Sequence, residues 1–232
     1  MAEPQKSGET AEEKQNAIES FGSMGLPGKT GDLYCLSIIG QIEGHNVLPP
    51  QNKTTKYEHL IPLIVSVEED KEIQGMLIIL NTVGGDVEAG LAIAELISGM
   101  NKPTVSLVLG GGHSIGVPLA VCSDYSFIAP SASMTLHPIR MNGTIIHAVQ
   151  TFDYLAKMQE RVEHFIVSHC NMKKEDLDRL MMNTNQLAND VGTVIYGQDA
   201  VQYGLINEIG SLSDAIAKLY ELIEAHKTQA QS

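Results

Sequence analysis

Twice in its first half the chain runs through one order of elements: an uninterrupted apolar strand, a glycine cluster, then a helix. Met76-Leu77-Ile78-Ile79-Leu80 closes on Asn81, Gly84-Gly85 follow, and Asp86 to Ile97 sets Val87, Leu91, Ala94 and Ile97 on one side of a helix. Asp86 and Glu88 stand in its first turn, where carboxylates complement the helix dipole. Thr104 to Leu109 repeats the strand, Gly110-Gly111-Gly112 the turn, and Ser114 to Val121 a helix of small residues. Two βα units in tandem predict an α/β fold, a parallel sheet flanked by helices.

The remaining pattern fits that frame. Leu33 to Ile39 reads as a buried strand ending at Gly40, and a polar loop runs through Asn46 to Thr55. Leu60, Leu63, Ile64 and Val67 recur at helical spacing. Further strands are expected at Tyr125 to Ile128, Met134 to Leu136 and Thr144 to Ile146. A long helix is expected from Phe152 to His169, with Leu155, Val162, Phe165 and Ile166 on one side, and shorter ones at Glu175 to Met182 and Ser213 to His226. Residues 1–30, rich in Glu, Lys, Gln, Ser and Gly, read as a mobile tail, and 31–232 as one folded domain. A chain of 232 residues, 43% of them hydrophobic, is long enough for one sizeable core.

Composition narrows the function. A formal net charge of -13 repels a phosphate backbone, which excludes nucleic acid as a partner. Aromatic residues make up 5% and Trp is absent, so stacking platforms for bases or sugars are unsupported. No run reaches the roughly 18 apolar residues of a membrane span, and Met1 to Gln15 is polar where a secretory signal needs an apolar stretch, so a cytoplasmic location is expected. Cys35, Cys122 and Cys170 match no zinc spacing and read as reduced, structural thiols. His164, His169 and Cys170 lack a His-Glu-x-x-His arrangement, and neither metal nor cofactor is expected.

Gly112-His113-Ser114-Ile115-Gly116 matches Gly-x-Ser-x-Gly between an expected strand and an expected helix, the context in which that pattern presents a nucleophile. The plain alternative is a glycine-rich turn with Ser114 as helix cap. Serine needs a base to take its proton. Of eight histidines, His137 is preferred because it follows the end of the strand at Leu136 and precedes Pro138; His113, beside the serine, reads as a packing or substrate-contact residue. The backbone N–H groups at Gly84-Gly85 and at Ile115 are candidates to face a developing oxyanion.

These segments resemble the proteolytic subunit of Clp protease. Asn81-Thr82-Val83-Gly84-Gly85 is similar to that family's Asn-Ser-Pro-Gly-Gly turn. The serine turn, Leu136-His137-Pro138, the long helix and Asp199-Ala200-Val201-Gln202-Tyr203-Gly204-Leu205-Ile206 follow in the family's order, over roughly residues 32 to 210. Within the family the chain resembles the translocation-enhancing protein branch of spore-forming bacteria, whose serine turn also carries a His before the Ser. The resemblance implies a spiral of βα units shared with the crotonases, with Phe152 to His169 as a projecting handle. It implies a triad of Ser114, His137 and an Asp, and an oxyanion hole from Gly85 and Ile115. Val83 departs from the family's Pro and His113 from a small residue. An ungapped match puts Gly192 at the aspartate position, so Asp190, the nearest carboxylate, is taken as the acid and Asp178 as the fallback.

The expectation is an ATP-independent serine endopeptidase core that cleaves peptides or unfolded proteins inside a homo-oligomeric ring or stacked rings, with an ATP-dependent unfoldase as a candidate partner. Three rivals carry distinct signatures. An α/β-hydrolase esterase places its histidine late, where only His226 remains. A crotonase-like acyl-CoA enzyme shares the glycine donors without needing Ser114, and an idle Clp-like scaffold or binding protein needs no triad at all.

Overall fold

The structure, a computed structural model, describes residues 24–26, 32–141, 143, 146–186 and 191–230. Its main sheet is built on three long neighbours, β2 (Asp32–Glu43), β4 (Ile73–Gly85) and β5 (Thr104–Gly112), all parallel. A short antiparallel edge, β1 (Met24–Leu26), flanks β2, and β3 (Thr54–Lys56) pairs with the end of β2. On the other side β6 (Tyr125–Ile128) and β9 (Glu208–Ile209) continue the parallel order. A second layer, β7 (Ser133–Leu136) antiparallel to β8 (Thr193–Tyr196), touches β5 at Gly111 opposite Ser133.

Side-chain alternation along the central strands sends apolar residues to both faces. Leu36, Ile38, Met76, Ile78 and Leu80 meet the helices α1 (Tyr57–Glu69), α2 (Val87–Ser98) and α3 (Gly116–Val121). Leu33, Leu77, Val105 and Leu107 meet Ala215, Leu219 and Ile223 of α7 (Leu212–Ala230), which covers the opposite face. Truncating a buried leucine such as Leu107 to Ala costs about 2–5 kcal/mol, so both faces are needed for stability. The two remaining helices before the C-terminal segment are α4 (Ala148–Ser168) and α5 (Lys174–Met181), and α6 (Gly197–Gln202) follows β8.

The α/β expectation holds, with revisions in detail. Glycine clusters expected as turns belong to strands: β4 runs through Gly84-Gly85 and β5 through Gly112. The ladder is tight there, since a Cβ on Gly85 would stand 2.2 Å from the Ile42 carbonyl oxygen, and the turn comes only when Asp86 N–H donates to that oxygen at 3.0 Å. The long helix begins four residues before Phe152. Only Met158, Val162, Phe165 and Ile166 of it are buried, all in its second half, while Val149 and Phe152 are 69% and 71% exposed. Thr144 and Ile145, expected in a strand, lie outside the described residues, and Ile146 is in a bend. Of the stretch read as a tail, Met24–Leu26 form β1 and the rest lies outside the described residues. No described helix is long and apolar enough to cross a membrane.

Candidate active site

The serine turn is a point of backbone strain. Ser114 has φ +58°, the one positive φ outside glycine among the described residues. The left-handed region costs an L-residue about 1–2 kcal/mol, and such a residue persists only where its surroundings over-determine it. Here Ser114 N–H donates to the Thr135 carbonyl at 2.9 Å and His113 N–H to the Thr82 carbonyl at 3.2 Å. Gly116 N–H to His113 O at 2.8 Å and Val117 N–H to Ser114 O at 2.9 Å close the first turn of α3.

The other junction presses on this one. Gly84, φ +86°, lies so near the serine that a Cβ would stand 2.6 Å from Ser114 Cβ and 3.2 Å from its Oγ. Its N–H donates to Thr82 Oγ1 at 3.0 Å, and that hydroxyl donates to the Gly40 carbonyl at 2.6 Å. Asn81, which closes the apolar run of β4, accepts the Gly111 N–H on Oδ1 at 3.0 Å and so ties the two strand ends together. Neither Thr82 nor Asn81 was assigned a role from sequence. A polar residue terminating a fully apolar strand is the one available signal.

Ser114, His137, Gly85 and Ile115 line one cavity of about 110 Å³, with apolar walls that include Val87, Val162 and Met181. His137 follows the end of β7, as expected, and its Nδ1 is 2.7 Å from the Pro138 carbonyl oxygen. A carbonyl only accepts, so Nδ1 carries the proton, and in the neutral ring this leaves the lone pair on Nε2, the tautomer a general base requires. Among the described residues no hydrogen bond joins Ser114 to His137; such bonds are commonly long before substrate binds.

No described carboxylate lines this cavity. Asp190 lies outside the described residues. Gly192, φ +138°, abuts His137, since a Cβ there would stand 2.6 Å from the Leu136 carbonyl oxygen and 2.8 Å from His137 Cβ. Asp178 lies on α5, 46% exposed, paired with Lys174 at 2.7 Å, and Lys174 also meets Glu163 at 2.7 Å. That is a solvated helix face, away from the cavity.

Elsewhere the thiols fit their structural reading. Burial pushes Cys122 up to about 12 and raises Cys35 and Cys170, which favours the thiol over the reactive thiolate. Among the described residues no group of three or more His, Cys, Asp or Glu is placed to hold a metal. A larger cavity, about 360 Å³, lies between α2 and α4, bordered by the Glu88–Arg161 ion pair at 2.8 Å. Its one hydroxyl, Ser168, ends a helix with neither strained turn nor glycine strand beside it, so the smaller cavity is the better candidate site. His226, on which an esterase reading depends, is exposed on α7, across the sheet from Ser114.

The Clp protease family profile matches residues 32–213. The chain is 56% identical over 208 residues, 89% of its own length and 81% of the relative's, to the translocation-enhancing protein TepA of Halalkalibacterium halodurans. It is 25% identical over 142 residues, 59% of its own length and 70% of the relative's, to the ATP-dependent Clp protease proteolytic subunit 1 of Chlamydia muridarum.

Proposed function

This chain belongs to the Clp protease family, and from that premise we propose that it is the core of a serine endopeptidase acting on peptides or unfolded proteins. One observation carries the reading: a non-glycine residue, Ser114, is held at φ +58° on a glycine-flanked turn that shares a cavity with His137. In this reading Ser114 Oγ attacks the scissile carbonyl carbon and His137 Nε2 takes its proton. The N–H groups of Gly85 and Ile115 receive the oxyanion, each such donor contributing about 10²–10³ in rate. His137 returns the proton to the leaving amine as the C–N bond breaks, then activates the water that hydrolyses the acyl-enzyme.

The ring needs a partner at Nδ1 to stay in its working tautomer. The Pro138 carbonyl occupies that place in the structure. Asp190, the carboxylate proposed from sequence, acts in this scheme only by displacing the carbonyl as acceptor. Self-association into a closed ring, with the exposed half of α4 covered by other copies, is part of the proposal, as are a cytoplasmic setting and feeding by a separate ATP-dependent unfoldase. The apolar side chains exposed at Val149 and Phe152 support the association.

A fluorophosphonate, with its adduct mapped by mass spectrometry, tests the reading. Modification at Ser114 alone is expected, and label at another serine or none in the assembled protein sinks it. A second reading, an idle scaffold, draws on the lack of a described carboxylate at the cavity and on the relative named as a translocation-enhancing protein. It predicts a ring-forming protein with neither label nor cleavage.

A further inference from the structure

His113 plays no part in the scheme above, yet the serine turn is anchored through it. Its N–H reaches Thr82 on β4, its carbonyl receives Gly116 at the start of α3, and its ring Nδ1 lies 2.8 Å from Thr135 Oγ1 on β7. Gly111 leaves the space that the ring fills, since a Cβ there would stand 2.5 Å from His113 Nε2. Thr135 also accepts the Ser114 N–H on its carbonyl, and it stands two residues before His137. Thr135 therefore holds the turn at two points, one backbone and one side chain. One hydrogen bond leaves a pivot, whereas two from adjacent residues to the same partner fix the rotation of the turn against the strand. Burial lowers the basicity of the His113 ring, so it is neutral at neutral pH, and either neutral tautomer can bond a hydroxyl, which both donates and accepts.

We propose that His113 is a positioning residue whose ring bond to Thr135 locks the left-handed Ser114 turn to the strand that presents His137. This rests on reading Ser114 as a nucleophile. Misplacement of a reacting group by about 1 Å can lower a rate by around 10²-fold, which sets the scale of what the lock protects.

The test uses the full chain with three readouts: fluorophosphonate labelling rate at Ser114, kcat and KM on a fluorogenic peptide, and amide hydrogen exchange at Ser114. His113→Ala and Thr135→Val should each lower labelling and kcat about 10- to 100-fold, leave KM within about threefold, and speed Ser114 exchange about tenfold. His113→Asn, which returns a hydrogen-bonding group near the place of Nδ1, should recover most of the loss. The double variant should be little worse than either single one, because both remove the same bond. Wild-type exchange and labelling in both His113→Ala and Thr135→Val overturn the proposal while leaving Ser114 as nucleophile. Faster exchange in both, with no label on the wild-type protein, keeps the lock and removes the peptidase reading.

Discussion

At the first βα junction the chain passes from β4 to α2 through Gly84-Gly85 and Asp86; at the second it passes from β5 to α3 through Gly112, His113 and Ser114. The first follows the stable prescription. Glycines take the crowded positions, and Asp86 Oδ1 caps the helix by accepting the Ala89 N–H at 2.9 Å. The second departs from it. A serine, not a glycine, takes the left-handed conformation, no side chain caps α3, and the helix is six residues long. A junction built only to hold the fold would place glycine at position 114. The hydroxyl is kept at the expense of strain, and an observed outlier of this kind points toward function.

Replacing Ser114 by Gly makes the second junction resemble the first, and the largest effect is expected there. Peptide cleavage and fluorophosphonate labelling should fall by about 10⁶-fold, as on removal of other catalytic serines. The thermal midpoint should not fall, because the strain is relieved; a clear drop would mean that the turn is not strained. Gly84→Ala strikes where the junctions touch. Its methyl would sit 2.6 Å from Ser114 Cβ at a φ that alanine resists. A loss of at least ~10²-fold in kcat with about 1–3 kcal/mol of destabilisation in urea melts is expected.

Asp190→Asn asks which group holds the His137 N–H. One N–H has one good acceptor, and the Pro138 carbonyl already stands at 2.7 Å, so kcat should drop less than ~10-fold. A drop near 10⁴ would assign the role to Asp190. Asp178→Asn should leave kcat unchanged, since its partner is Lys174. The smallest effect is expected from Asp86→Ala. Losing the cap of α2 should lower stability by about 1 kcal/mol with kcat within twofold of wild type, and a larger activity loss would break the division of labour between the junctions.

Much of this was legible along the chain because it is encoded locally. Apolar runs of strand length such as Met76 to Leu80 and Thr104 to Leu109, helical spacing at Leu60, Ile64 and Val67, and a serine bracketed by glycines after a strand are patterns spanning a few residues, and each of these matched an element in the structure. The candidate base His137 was singled out for the same reason, as a polar residue next to a strand end. The glycine clusters misled because glycine signals both turns and close approach. Only the neighbouring strand decides which, as Ile42 does for Gly85.

What the tertiary structure alone decided is a set of proximities between residues far apart in sequence. The pairing of β7 with β8 brings Gly192 against His137, some 55 positions away, and no local pattern marks that glycine as the histidine's neighbour. The contacts of Gly84 with Ser114 and of Asn81 with Gly111 depend on the register of β4 against β5. The bond from His113 to Thr135 needs β7 to lie beside the end of β5. Periodicity and turn chemistry act over one element, whereas register is set by how two buried surfaces interlock, and a shift by one residue would turn every side chain to the other face. The candidate nucleophile was therefore readable from seven adjacent residues, while its strain and the groups that hold it appeared only once the strands were packed.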